Sequence, residues 1–145
     1  MSPERWACTL YVPHDARAIG VARATLHAVL VRNELPQLLD TAVLLASELL
    51  TNAYLYSAGP ASLRLRRSHG TLRLGVWDTE PQPPLPGSPG AEEEGGRGLL
   101  LVKVYADRWG WFPLGGEVGG VRGKYTWCEL GTETVDDPAC WDVAA

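Results

Sequence analysis

Ala61-Ser62-Leu63-Arg64-Leu65-Arg66-Arg67-Ser68-His69-Gly70-Thr71-Leu72-Arg73-Leu74-Gly75-Val76-Trp77-Asp78 is the stretch on which the fold turns. Ala61, Leu63 and Leu65 alternate with Ser62, Arg64 and Arg66, and after a turn at Ser68-His69-Gly70 the residues Leu72, Leu74 and Val76 alternate with Thr71, Arg73 and Gly75. A period of two over both halves predicts a β-hairpin with one buried face. The same alternation puts Asp78 on the face of Leu72, Leu74 and Val76, pointing inward at the strand's end. A carboxylate there is costly unless donors meet it. The alternative reading is that Asp78 only starts a turn, a common place for Asp.

Upstream the period is helical. Ile19, Ala22, Leu26, Val29 and Leu30 recur at helix spacing from about Asp15 to Val31, with Asp15 able to cap. Pro36 suits the first turn of a second helix that runs to about Ser57 and stops at Ala58-Gly59-Pro60. Trp6 to Val12, ending at Pro13, reads as an edge strand. Within the second helix, Ser47-Glu48-Leu49-Leu50-Thr51-Asn52-Ala53 sets Glu48 and Asn52 four residues apart, about 40° around the axis. The pair borders the apolar stripe of Leu38, Leu39, Ala42, Leu45, Ala46, Leu49 and Ala53. A Glu there can serve as a general base and an Asn oxygen can ligate a hard cation. An ordinary half-exposed helix pair accounts for the same spacing.

Downstream, residues 79–96 break every period. Five prolines from Pro81 to Pro89, several glycines and Glu92-Glu93-Glu94 predict a long loop, a feature usually tied to function or disorder. Gly95-Gly96-Arg97-Gly98 then opens an apolar helical segment from Leu99 to about Ala106, where free amides and the helix dipole suit a phosphate. Two common phosphate motifs are excluded. A dinucleotide fingerprint at Gly96-Arg97-Gly98 needs glycine where Leu101 stands, and a P-loop ending at Gly123-Lys124 needs glycine at Val118 and Ser or Thr at Tyr125. Two more strands follow, roughly Asp107–Phe112 and Lys124–Leu130, joined by the glycine-rich Gly115–Gly120, with Trp109, Trp111 and Trp127 shielding the sheet or serving an interface.

Composition sets limits. The 145 residues, 46% hydrophobic and 21% charged, suit one globular domain with a substantial core. A net charge of −4 with scattered arginines argues against direct nucleic-acid binding. No apolar run reaches the roughly 20 residues of a membrane span, and the start lacks a signal-peptide core. The 3 cysteines, Cys8, Cys128 and Cys140, form no metal or disulfide pattern, so a reducing cytoplasm is expected. His14, His27 and His69 are isolated and read as structural or surface residues.

Glu48-Leu49-Leu50-Thr51-Asn52-Ala53, Val76-Trp77-Asp78-Thr79-Glu80-Pro81, Gly95-Gly96-Arg97-Gly98-Leu99-Leu100 and Ala106-Asp107-Arg108-Trp109-Gly110, in that order, resemble the GHKL ATPase superfamily with its Bergerat nucleotide fold. The chain looks most like the small anti-sigma-factor serine kinases and related ATP-binding regulators of bacteria. The resemblance implies an α/β two-layer sandwich, a mixed, mainly antiparallel sheet covered on one face by helices, over residues 1–131. Residues 132–145 are then an acidic tail. It implies ATP and Mg²⁺ as ligands. Glu48 becomes the general base for an acceptor hydroxyl, Asn52 the Mg²⁺ ligand, and Ala53 a neighbour of the base. Asp78 accepts from the adenine amino group. Gly96, Arg97, Gly98 and Leu99 wrap the phosphates under a lid of residues 79–95. Lys124 stands where such proteins carry a basic or hydroxyl residue near the site. The chain departs from the pattern at Tyr56, where many relatives have His, and at Tyr125, where a Thr often lies near the base. The implied activity is transfer of phosphate from ATP to a Ser or Thr of a STAS-type antagonist, coupled to holding a sigma factor. A homodimer or hetero-complex on a sheet edge or the aromatic face is implied too, with no membrane contact. The other reading is a module that binds ATP and exchanges partners without transfer.

Overall fold

A computed structural model describes residues 5–81, 94–114 and 122–132, and of residues 94–98 the backbone alone. The elements in chain order are strand β1 (Trp6–Val12), helix α1 (Ala16–Arg32), a 3₁₀ turn (Pro36–Leu38), helix α2 (Leu39–Tyr56), strands β2 (Ala61–Ser68) and β3 (Thr71–Asp78), helix α3 (Glu94–Tyr105), and strands β4 (Arg108–Leu114) and β5 (Gly123–Gly131). The five strands form one sheet in the order β1-β2-β3-β5-β4. Every pairing is antiparallel. The helices lie on one face, with α2 between α1 and α3 and seated on β2 and β3. The result is the α/β sandwich expected from the sequence.

Local chemistry explains most of these elements. Asp15 caps α1 by accepting from the Arg17 amide at 2.9 Å. Pro36 supplies the 3₁₀ turn that leads into α2. The hairpin loop is His69-Gly70, and its positive φ values, 32° and 62°, match the right-handed twist of the flanking strands. The alternating leucines of β2 and β3 meet the stripe of α2, so Leu45, Ala46, Leu49, Leu50, Leu63, Leu65, Leu72 and Leu74 form the buried core. Each leucine taken from water contributes about 1.5–3 kcal/mol. Pro36–Tyr56 is long and apolar enough, by length and composition only, to cross a membrane, and in the fold that segment carries the central stripe of the core.

Two boundaries differ from the sequence reading. Helix α3 starts at Glu94, not Leu99, so Gly95-Gly96-Arg97-Gly98 is helical instead of leading into the helix. The segment is helical despite the low helix propensity of glycine. Strand β4 runs on to Leu114 through Pro113, which an edge strand tolerates because no ladder bond is lost on the free side. The proposed lid, the glycine-rich Gly115–Gly120 and the tail after Thr132 lie wholly or largely outside the described residues.

Gly123 opens β5 beside the end of β3. A Cβ there would run into the Asp78 carbonyl oxygen and come within 3.1 Å of Trp77 Nε1. The obstacle is backbone, which cannot swing aside. Gly123→Ala is therefore expected to lower unfolding free energy by about 1–3 kcal/mol, read from the urea midpoint at constant slope.

Candidate functional site

Three elements converge at the C-terminal end of β3. Helix α2 presents Leu49, Asn52 and Ala53, whose three- and four-residue spacing puts them on one face. Strand β3 presents Val76 and Asp78, and β5 presents Lys124 and Thr126. Asp78 lies directly opposite Lys124 and Val76 opposite Thr126. Leu99 of α3 closes the group. Together they line a cavity of about 10 Å³, room for about one water molecule.

Asp78 does point inward, as the alternation requires, and it is met by donors. Lys124 Nζ lies 3.1 Å from Asp78 Oδ1 and 3.1 Å from Oδ2. The Glu80 amide donates to Oδ1 at 2.8 Å, and Lys124 also donates to the Glu80 carbonyl at 3.1 Å. Both side chains are almost fully enclosed, 5% exposed for Asp78 and 7% for Lys124. Burial pushes the Asp78 carboxyl above its ordinary value, while the Glu80 amide and the Lys124 ammonium pull it back. A second contact fixes the neighbouring backbone. Ser57 Oγ, at the end of α2, and Thr79 Oγ1, just past Asp78, lie 2.7 Å apart. The clamp ties the end of the helix to the end of the strand and so sets the distance between the Asn52 turn and Asp78.

Of the residues singled out in the sequence, the fold brings together Asn52, Ala53, Asp78, Leu99 and Lys124. Glu48 lies one helical turn before Asn52, half-buried, outside the cavity lining and with no hydrogen bond or ion pair among the described residues. Gly96, Arg97 and Gly98 fall in the opening turns of α3, and their side-chain surroundings lie outside the description. Tyr56 is 42% exposed and does not form part of the cavity, so its bulk leaves the site unchanged. Tyr125 likewise faces the other side of the sheet. Among the described residues the hydroxyl-bearing residue that lines the cavity is Thr126, buried at 5% exposure. Counting by twos from Lys124 along β5 would have found it. The Ser57–Thr79 clamp left no periodic signal.

The residue set suits a purine nucleotide. Leu49, Ala53, Val76 and Leu99 are apolar walls, Asp78 is a buried acceptor at their base, and Asn52 is a neutral oxygen donor at the helix side. Among the described residues no group of three or more His, Cys, Asp or Glu is placed to hold a metal ion. A Mg²⁺ ion here would depend on nucleotide phosphates, with Asn52 as its protein ligand.

Residues 12–118 match the model of the histidine kinase-like ATPase domain. An uncharacterized protein of Streptomyces coelicolor is 46% identical over 54 residues, 35% of this chain and 51% of that protein. The match thus spans about half the length of that relative.

The buried pair makes a pH-dependent prediction. Lys124→Met removes the ammonium and leaves the Asp78 carboxylate with the Glu80 amide. Losing one partner of a buried pair costs about 3–5 kcal/mol, and the Asp78 carboxyl moves further up. A carboxyl raised in the folded state binds protons better there than in the unfolded chain. The variant should therefore regain stability as pH falls from neutral through the folded-state value towards the unfolded one. Urea unfolding across that range checks the sign, and Asp78→Asn with Lys124→Met should remove the dependence.

Proposed function

The chain belongs to the histidine kinase-like ATPase family, and from that membership we propose that it binds Mg-ATP and transfers phosphate to a Ser or Thr hydroxyl of a partner protein. The observation that carries this reading is the buried Asp78 carboxylate facing Asn52 and Ala53 across one apolar cavity. In this reading Asp78 accepts from the adenine amino group, and Leu49, Ala53, Val76 and Leu99 flank the base. Thr126 adds a hydroxyl beside Asp78. Asn52 holds the Mg²⁺ ion that rides on the phosphates, and the amides opening α3, around Gly96, Arg97 and Gly98, face them. ATP, when bound, supplies the phosphoryl group. Glu48 takes the proton of the acceptor hydroxyl. Phosphoryl transfer asks mainly for such positioning and charge neutralisation.

The biological setting that best suits this chemistry is that of a cytoplasmic anti-sigma regulator. Its acceptor would be a STAS-type antagonist, and a sigma factor would be held and released according to the bound nucleotide, with the chain acting as a homodimer or in a complex. The family membership and the early resemblance of the four segments support this setting.

One observation favours a second reading, an ATP-gated binding module without transfer. Lys124 occupies the Asp78 carboxylate and the cavity holds only about 10 Å³, so a base enters only if Lys124 releases Asp78. Glu48 also stands apart from the lining. A split between two variants decides between the readings. Glu48→Ala should keep most Mg-ATP affinity in calorimetry while transfer of radiolabelled phosphate to an antagonist falls about 10²–10⁴-fold. Asn52→Ala should lose both. If the wild type binds Mg-ATP but phosphorylates no antagonist, and Glu48→Ala leaves partner binding intact, the gated module is the correct account.

A further inference from the structure

The sheet face turned away from the helices carries a groove of about 500 Å³, lined by Arg64, Arg66, Arg73, Trp77, Phe112 and Tyr125 among others. Strand register sorts this face into rows. One row is Tyr11, Ser62, Trp77, Tyr125 and Phe112, and another is Ala7, Arg66, Arg73, Glu129 and Arg108. Arg64 lies between them, opposite Gly75. The first row is aromatic and exposed at its ends, with Tyr11 64% and Phe112 44% accessible. The second is cationic. Glu129 pairs with Arg73 at 2.8 Å and lies 3.7 Å from Arg108, and Arg73 stacks over the Trp127 ring at 4.3 Å. Arg64 and Arg66 are exposed and carry no ion pair among the described residues.

Gly75 completes the arrangement. A Cβ at that position would collide with the Tyr125 hydroxyl, so glycine lets the phenol ring lie across the sheet. Its hydroxyl thereby reaches the field of Arg73, Arg64 and Arg66. Burial outweighs those three charges and raises the Tyr125 pKa, and a phenol hydroxyl can donate to an anion. Two guanidiniums without an ion pair among the described residues, Arg64 and Arg66, and a phenol beside an aromatic wall form an anion site with an apolar flank.

We propose that this groove docks a carboxylate-rich segment of a partner protein, its acidic side chains on Arg64, Arg66 and the Tyr125 hydroxyl and its apolar side chains on Trp77 and Phe112. Charge complementarity decides the occupant. The face gathers four arginines, Arg64, Arg66, Arg73 and Arg108, against Glu129 in a chain of net charge −4. A second copy would set these arginines against each other about the two-fold axis. A long nucleic acid would meet the repulsion of the whole chain, whereas a short acidic segment responds to charges within a Debye length of about 8 Å. The aromatic row crosses four inter-strand steps of about 4.8 Å each, a span that suits an extended polypeptide better than a small molecule.

The test uses the full chain and a short fluorescein-labelled peptide of glutamates flanking one Phe, followed by anisotropy at physiological salt. The wild type should bind it at least about tenfold more tightly than the Glu-to-Gln version. Arg64→Ala with Arg66→Ala should weaken binding about tenfold or more while the unfolding midpoint stays the same, since both side chains are exposed. Arg64→Lys with Arg66→Lys should recover part of the affinity by keeping the charge without the planar fork. Equal binding of the Glu and Gln peptides, or unchanged affinity in the alanine variant, overturns the proposal. So does tighter binding of an oligothymidylate, which would make the face a nucleic-acid surface. Conversion of a wild-type dimer to monomer by the alanine variant, seen by light scattering, would make it an interface between copies.

Discussion

A carboxylate at the end of an apolar strand face must find donors, and the meeting of Asp78 with Lys124 satisfies that demand at the point where three elements join. The two residues are direct partners across β3 and β5, so the ion pair forms only in one register. A slip by one residue would turn Asp78 outward and carry Val76, Leu74 and Leu72 with it. The pair therefore fixes the register of the central strands, and that register decides what lines the cavity. Such a pair adds little net stability over apolar residues of the same size, because both charges leave water. Its weight lies in specificity of pairing and in the acceptor it keeps inside the cavity.

The period of two then gives the sheet two unlike faces. The inner positions of β2 and β3 are mainly aliphatic and meet α2, with Arg67 and Asp78 at the strand ends, while the outer positions hold Arg64, Arg66, Arg73 and Arg108 and most of the strand aromatics. Helix α2 sits over the middle of the inner face, which places Asn52 above the last turn of the strand pair instead of at the rim of the domain. The Ser57–Thr79 contact holds the end of that helix to the strand end. Site geometry thus follows from three ordinary requirements: an apolar stripe to bury, a carboxylate to satisfy and a helix end to anchor.

Much of this was legible because it is periodic. The hairpin, the first two helices, the inward Asp78 and the last strand all announce themselves by alternation or by a stripe at helix spacing. Those patterns set Asn52 beside the apolar stripe and Asp78 inward, while Ala53, Leu99 and Lys124 enter the site through the family resemblance. What escaped was set by tertiary packing or by register. Four residues with three glycines read as a lead-in to α3, yet they lie within its opening turns, a place where glycine gives no helix signal. The resemblance sets Tyr125 where a Thr often lies near the base, although alternation from Lys124 points to Thr126. Tyr56 follows Asn52 by one turn, yet its side chain ends on the surface because the helix terminates there.

The small cavity also bears on how a nucleotide would be admitted under the proposed function. Moving Lys124 off Asp78 exchanges one donor to the carboxylate for another, since the adenine amino group takes the place of the ammonium. The cost then falls on the lysine, which must keep an acceptor or reach solvent. The Glu80 carbonyl at 3.1 Å already serves as one, so the ammonium need not be stranded when Asp78 turns to the base. The Glu80 amide remains on Asp78 throughout and keeps the carboxylate oriented. Net affinity is thus the difference between two ways of satisfying one buried carboxylate, plus the apolar contacts made by the base. A protein built this way binds nucleotide less tightly than one whose acceptor stands free. It also couples occupancy of the cavity to the position of a charged side chain on β5, and β5 is the strand whose opposite face carries Tyr125 and Trp127.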